Sequence, residues 1–239
     1  YNYGYIDCLI SSSRTLTYNY GKITDSQSKI TYNYGTIEKN NALVDTNYNI
    51  IENNTGTISR YSSDVTLNEN SGTIDTLSKG SVRKNTGKIN DVNDKNVTIY
   101  NYAGGTVGKS NDAWGVRACT VWNMGGIVQG YSSYADNVKV YNFEGGTVSN
   151  LRKGSVIYNL GGTVTDSSTA QVINCYKVNI NSSFVETWNN KFIINPDTGE
   201  VWLPEGETGT FTVKDGTPQL YVTGATLTKQ SDTDSVYAV

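Results

Sequence analysis

The chain contains no histidine. That removes the commonest general base, the usual zinc ligand and every nucleophile that relies on an imidazole partner. What remains with chemical potential is carboxylates and phenols. Asp75 and Asp91 stand near the same point of two neighbouring repeats, and paired carboxylates can serve as acid and base on a glycosidic bond. No recurrent acidic cluster surrounds them, so the plainer reading is two solvated carboxylates and no catalytic residue is assigned. Cys8, Cys119 and Cys175 are an odd number at wide spacing, which fits no metal or disulfide framework; three small buried thiols are expected. The sequence calls for no metal and no cofactor.

The phenols are better organised. Tyr1, Tyr18, Tyr32, Tyr100, Trp122, Tyr141 and Tyr158 each immediately precede an Asn of a recurring motif, while Asn53, Glu69 and Lys84 fill the same position in between. If the apolar residue two before the Asn faces inward, as at Ile99 or Val140, the aromatic beside it faces out. Two exposed aromatic stripes would result. Flat rings in register can stack on sugar rings, and a tyrosine adds a hydroxyl. The competing reading is ring-on-ring stacking that only stabilises the scaffold. A second row, Thr36, Thr57, Thr73, Thr106, Thr147 and Thr163, stands just before the Ile or Val of each motif and is broken by Tyr5, Lys22, Lys88 and Ile127. Thr suits an outward strand position without further cause. Glu69 and Lys84 are placed to pair across adjacent repeats, a surface contact worth about 0–1 kcal/mol.

The elements that would hold these rows are the repeats themselves. The motif Asn-x-Gly or Asn-x-x-Gly, followed by Ile or Val, recurs at Asn2, Asn19, Asn33, Asn54, Asn70, Asn85, Asn101, Asn123, Asn142 and Asn159. Spacings of 14 to 22 residues exclude a strict six-residue count, and the chain is too poor in Leu for a leucine-rich repeat. Short strands joined at an Asn-Gly corner fit instead. The Gly is expected to take the positive φ of a sharp bend, so that Gly72→Val would strain it. The Asn is expected to bond to its copy one coil away, forming a structural column. The Ile or Val then points inward onto its neighbours about 4.8 Å above and below, each worth on the order of 1.5–3 kcal/mol when fully buried.

The expected fold is therefore all-β: a single-stranded parallel β-helix of about ten short coils, right-handed by preference, over residues 1–180. Residues 181–195 would cap and bridge. Residues 196–239, with all three prolines and no Asn, would form a small β appendage or begin a further domain. Within this part a tight turn is expected at Asp197–Gly199, and "TGTFTVKDG", "LYVTGATLT" and "SVYAV" alternate as strands do. Net charge is −3 with 17% charged residues, so no basic surface follows a phosphate backbone and nucleic acid is not an expected partner. No apolar run approaches the ~18 residues of a spanning helix, so membrane insertion is not expected. The chain begins inside a repeat with no Met, as a piece of a longer protein would.

These Asn-x-Gly-Thr-Ile/Val coils resemble the parallel β-helix repeats of bacterial surface and adhesin-type proteins, over about three quarters of the chain. That resemblance implies an extended extracellular or cell-surface module that presents surface and carries no catalytic residue. The expected function is structural or adhesive, with a glycan or a host or cell-surface protein as partner. Binding would run through Tyr18, Tyr32, Tyr100, Trp122, Tyr141 and Tyr158. The alternative is a carbohydrate-active β-helix enzyme, a polysaccharide lyase or glycoside hydrolase, working through carboxylates.

Overall fold

Each repeat brings two short β-branched segments to a Gly-marked bend, and β-branched side chains fit a pleated, half-buried surface better than a helix. A computed structural model of the chain realises this pattern. It describes residues 1–9, 15–26, 29–41, 51–62, 66–108, 115–130, 136–179, 185–213, 228–229 and 236–238. Among them no helix forms, and the chain divides into two compact units, Tyr1–Val172 and Ile173–Val239.

The first unit is a parallel β-solenoid. One face stacks Tyr5–Leu9, Lys22–Ser26, Thr36–Asn41, Thr57–Ser62, Thr73–Leu77, Lys88–Asn93, Thr106–Val107, Ile127–Gln129, Thr147–Ser149 and Thr163–Thr165, with Val116–Arg117 also paired to Lys88–Asn93. The other face stacks Thr15–Asn19, Lys29–Asn33, Ile51–Asn54, Glu69–Asn70, Ser81–Asn85, Thr98–Tyr102, Thr120–Met124, Lys139–Phe143 and Val156–Leu160. The strands of each coil alternate between the faces, so each pairs with its counterpart one coil away.

Register follows the inward side chains. Ile23, Ile37, Ile58, Ile74, Ile89, Val107, Val128 and Val148 lie one above another and are fully buried. The opposite wall is built from Ile30, Ile51, Leu67, Val82, Ile99, Val121, Val140 and Ile157, equally buried. Leu77 and Leu151, three residues after an inward Ile or Val, close the core. A coil alone could not bury these residues; stacking does it for all of them together.

The second unit is antiparallel. Asn195 builds the expected turn: its Oδ1 accepts from the backbone N–H of Asp197 at 2.9 Å and Thr198 at 3.2 Å, and Gly199 follows at φ 71°. This turn joins Ile193–Ile194 to Val201–Pro204, which also pairs with Cys175–Val178. A four-stranded sheet combines Val185–Trp188, Thr210–Val213, Val236–Ala238 and Thr228–Lys229. Its core includes Phe192, Phe211, Leu203 and Tyr237, with Trp188 meeting Phe192 edge-on at 4.9 Å. Most of the expected strand "LYVTGATLT" lies outside the described residues.

Candidate functional site

The corner column sets the register of the rows beside it. From Asn2 through Asn19, Asn33, Asn54, Asn70, Asn85, Asn101 and Asn123 to Asn142, each Nδ2 donates to the Oδ1 of the next coil, at 2.7–2.9 Å. These nine residues are buried. All eight bonds point the same way along the stack. The column ends at Asn142, whose Nδ2 turns to the carbonyl of Thr163 at 3.1 Å. Asn159 is in register with Asn142, but its Oδ1 is buried without a hydrogen-bond partner.

The corner glycines act differently from the sequence expectation. Gly21, Gly35, Gly56, Gly72 and Gly87 do not have left-handed backbones. Each instead lies against the carbonyl oxygen of the corner glycine one coil earlier, where an added Cβ would come well inside 3.0 Å. Close approach of backbones, not a positive φ, requires glycine there. In the later coils the two roles separate. Gly104, Gly125, Gly145 and Gly161 have φ between +79° and +98°. The glycine after each of them lies against the side-chain amides of the Asn column.

Beside the column stand the aromatic rows. Tyr18, Tyr32, Tyr100, Trp122, Tyr141 and Tyr158 are all half-buried and in strand register with their neighbours. Tyr18 stacks between Tyr1 at 4.8 Å and Tyr32 at 5.1 Å. Further on, Trp122 stacks on Tyr100 at 6.1 Å and on Tyr141 at 4.3 Å, and Tyr141 stacks on Tyr158 at 5.2 Å. Asn53 and Glu69 continue the register between the two stacks. There Lys84 Nζ meets Glu69 Oε1 at 2.9 Å, the expected cross-coil pair.

A further row escaped the sequence reading. Tyr3, Tyr20 and Tyr34 follow the Asn in the first three motifs and stack on one another at 5.1 and 5.0 Å, tilted by only 2° and 8°. With Tyr1, Tyr18 and Tyr32 they make a grid, two abreast and three deep, the two rows 6.2–6.3 Å apart. Tyr3 is 74% exposed, Tyr20 44% and Tyr34 45%. The signal was in plain view: "YNYG" places a tyrosine on each side of the Asn three times. In later coils the residue after Asn is half-buried at Tyr102 and Met124 and buried at Phe143 and Leu160.

The rings lie face against face, and this decides what they can offer. A sugar sandwiched between two rings needs about 7 Å, twice a ~3.5–4.0 Å contact distance. Gaps near 5 Å admit nothing between neighbours. The grid therefore presents ring edges and phenol tips. Partial loss of water, then the neighbouring phenols Tyr3, Tyr34, Tyr18 and Tyr1, raise the pKa of the Tyr20 hydroxyl above 10.0.

The remaining candidates do not converge. Asp75 accepts from Asn90 Nδ2 at 2.8 Å, whereas Asp91 is in register with Thr76, so the two carboxylates are offset by one residue. The Thr row stands in register with its interruptions at Lys22, Lys88 and Ile127. The thiols are not all buried: Cys119 is, Cys175 is half-buried and Cys8 is exposed. Burial pushes Cys119 up to about 12, and burial with the Glu205 charge does the same for Cys175. Among the described residues no three His, Cys, Asp or Glu side chains gather as a metal would need, and no helix is long and apolar enough to cross a membrane.

Fold and site together define a parallel β-solenoid with an internal Asn column and external aromatic stacks. The chain matches no protein-family model, no curated protein and no solved structure.

Proposed function

We propose that this chain is a non-enzymatic structural and adhesive module of a secreted or bacterial cell-surface protein, holding glycans along its tyrosine rows. The observation that carries the reading is the six-tyrosine grid: uncharged, outward and repeated at the coil spacing. Ring edges and hydroxyls at that spacing suit the hydroxyl-rich edge of a neutral sugar chain. Each contact is weak, and several in line add avidity without a pocket. The later stack around Trp122 offers a second, narrower strip.

The test is retention on a glycan array. Tyr20→Ala with Tyr34→Ala is expected to lower retention at least tenfold, and Trp122→Ala with Tyr141→Ala to lower it less, both with the fold intact by circular dichroism. Asp75→Asn should leave retention unchanged. Cleavage of a polysaccharide that is lost in Asp75→Asn or Asp91→Asn would replace this reading with the carbohydrate-active enzyme. Neither binding nor cleavage across a broad panel would leave a spacer.

A further inference from the structure

The outer tyrosine row has a chemistry that glycan binding does not use. We propose that Tyr3, Tyr20 and Tyr34 are a site of oxidative coupling, where a peroxide-consuming peroxidase joins neighbouring coils by carbon–carbon bonds between tyrosine rings. The geometry supplies the selectivity. Rings tilted by only 2° and 8°, with centroids 5.1 and 5.0 Å apart, hold the phenols of neighbouring coils face to face and within reach of one another. The carbons ortho to the hydroxyl are the positions where a phenoxyl radical carries spin. They lie at the ring edge, and all three rings are exposed to a diffusing oxidant. In the inner row Tyr18 and Tyr32 are half-buried and less accessible, so Tyr1, exposed at its end, has no equally exposed neighbour within its own row.

Each phenol gives up one electron and its hydroxyl proton. Two adjacent phenoxyl radicals then form one bond between ortho carbons. The hydrogens on those carbons move to the oxygens and restore two phenols. The two electrons and two protons reduce one hydrogen peroxide to two waters, so the linked pair is lighter by two hydrogens. A partner held at 5 Å by a parallel ladder has an effective concentration that a second molecule in dilute solution does not reach, so coupling within the chain outruns coupling between chains. The product staples three successive coils, closing loops between residues 3, 20 and 34 at the end of the stack that the first repeats form.

Dilute folded protein is treated with a haem peroxidase and limiting hydrogen peroxide. The expected product runs as a monomer on a denaturing gel, is lighter by two hydrogens per bond, and yields linked peptides Tyr3–Tyr20 and Tyr20–Tyr34. Its melting temperature is raised. Tyr20→Phe, which cannot form a phenoxyl radical, abolishes both links. Three results would each overturn the proposal: cross-linked dimers as the main product at low concentration, the same linked peptides in equal yield from chain oxidised in denaturant, or no linked peptide at all. None depends on glycan retention.

Discussion

The solenoid solves one corner in two ways, and the change falls between Asn85 and Asn101. In the early coils two residues stand between the inward apolar residue and the Asn, as in Leu67 to Asn70, and a single glycine follows. In the later coils one residue stands there, as in Val121 to Asn123, and two glycines follow. The inward residues on either side remain seven apart in Leu67 to Ile74 and Val121 to Val128, and become eight apart where Ala103 or Glu144 is added, in Ile99 to Val107 and Val140 to Val148. Asn has moved one step toward the strand and a glycine has filled the gap. The register shift between Val82–Asn85 and Ile99–Asn101 marks the changeover.

Hydrogen bonding changes with it. At an early corner one Asn carbonyl accepts two N–H groups from the next coil; Asn19 O takes Tyr34 N at 2.8 Å and Gly35 N at 2.9 Å. At the two later corners with an added residue the chain turns on itself, with Gly105 N donating to Tyr102 O at 2.8 Å and Gly146 N to Phe143 O at 3.0 Å, whereas Gly162 N still donates across coils to Asn142 O at 3.3 Å. The early corner is an inter-coil device that leaves the residue after Asn outside, which is how the outer tyrosine row arises. At the later corners that residue is more covered, half-buried at Tyr102 and Met124 and buried at Phe143 and Leu160, with Phe143 stacked on Trp122 at 6.1 Å. Exposed tyrosine and corner type are one choice.

Glycine substitution separates the two corners most sharply. At Gly72, alanine would set its Cβ into the backbone of Gly56 and Thr55, which can move only with a whole coil. The expected loss is about 3 kcal/mol, the upper end for overpacking. At Gly104 the nearest obstacle is Thr86 O at 3.5 Å, so only the φ of +88° resists. Alanine there should cost about 1–2 kcal/mol, and asparagine, which tolerates that conformation, less. Chemical denaturation measures all three. Equal losses at both sites would dissolve the distinction.

The Asn column gives a smaller contrast. Asn70→Ala removes both the acceptor of Asn54 and the donor to Asn85, leaving buried amide groups short of partners, and should cost about 1–3 kcal/mol. Asn54 keeps weaker contacts to the carbonyls of Gly56 and Thr73, which limits the damage. Asn159→Ala instead removes an acceptor that already has no partner, and should cost under about 1 kcal/mol. A larger loss at Asn159 than at Asn70 would mean the column does not carry stability in the way its bonds suggest.

Much of this could be read from the sequence, and the limits have physical reasons. An inward Ile or Val four to six residues after each Asn announced the parallel stack, because the core face requires that residue type once in every coil. The Asn column followed from an amide that can donate and accept at once. The role of Gly72 could not be read, since glycine answers equally to a positive φ and to a close backbone, and only coil height separates them. The offset of Asp75 from Asp91 was legible: the first stands five residues after its Asn and the second six, and the strand register keeps that count. The outer tyrosines form a row of only three copies, because the position after Asn becomes Thr55, Ser71 and Thr86 in the next coils, and so short a row carries a weak periodic signal.

The finest contrast concerns the grid as a set of acids. Tyr20 stands among four other phenols, and its pKa is raised above 10.0, first by lost hydration and then by Tyr3, Tyr34, Tyr18 and Tyr1. In the unfolded chain those neighbours disperse and the hydroxyl returns toward about 10. The folded state then holds this proton more tightly than the unfolded one. Its contribution to stability is fully present below pH 10 and is lost as pH rises through the folded pKa. Thermal melts between pH 8 and pH 11 should show wild type losing more melting temperature than Tyr20→Phe, which keeps the stacked ring and discards the titrating group. At pH 8 the two should melt within a degree or two of one another, because a surface hydroxyl adds little there. Parallel pH curves for the two proteins would show that the tyrosine rows stack without sharing charge, and the early corner would then differ from the later one in shape alone.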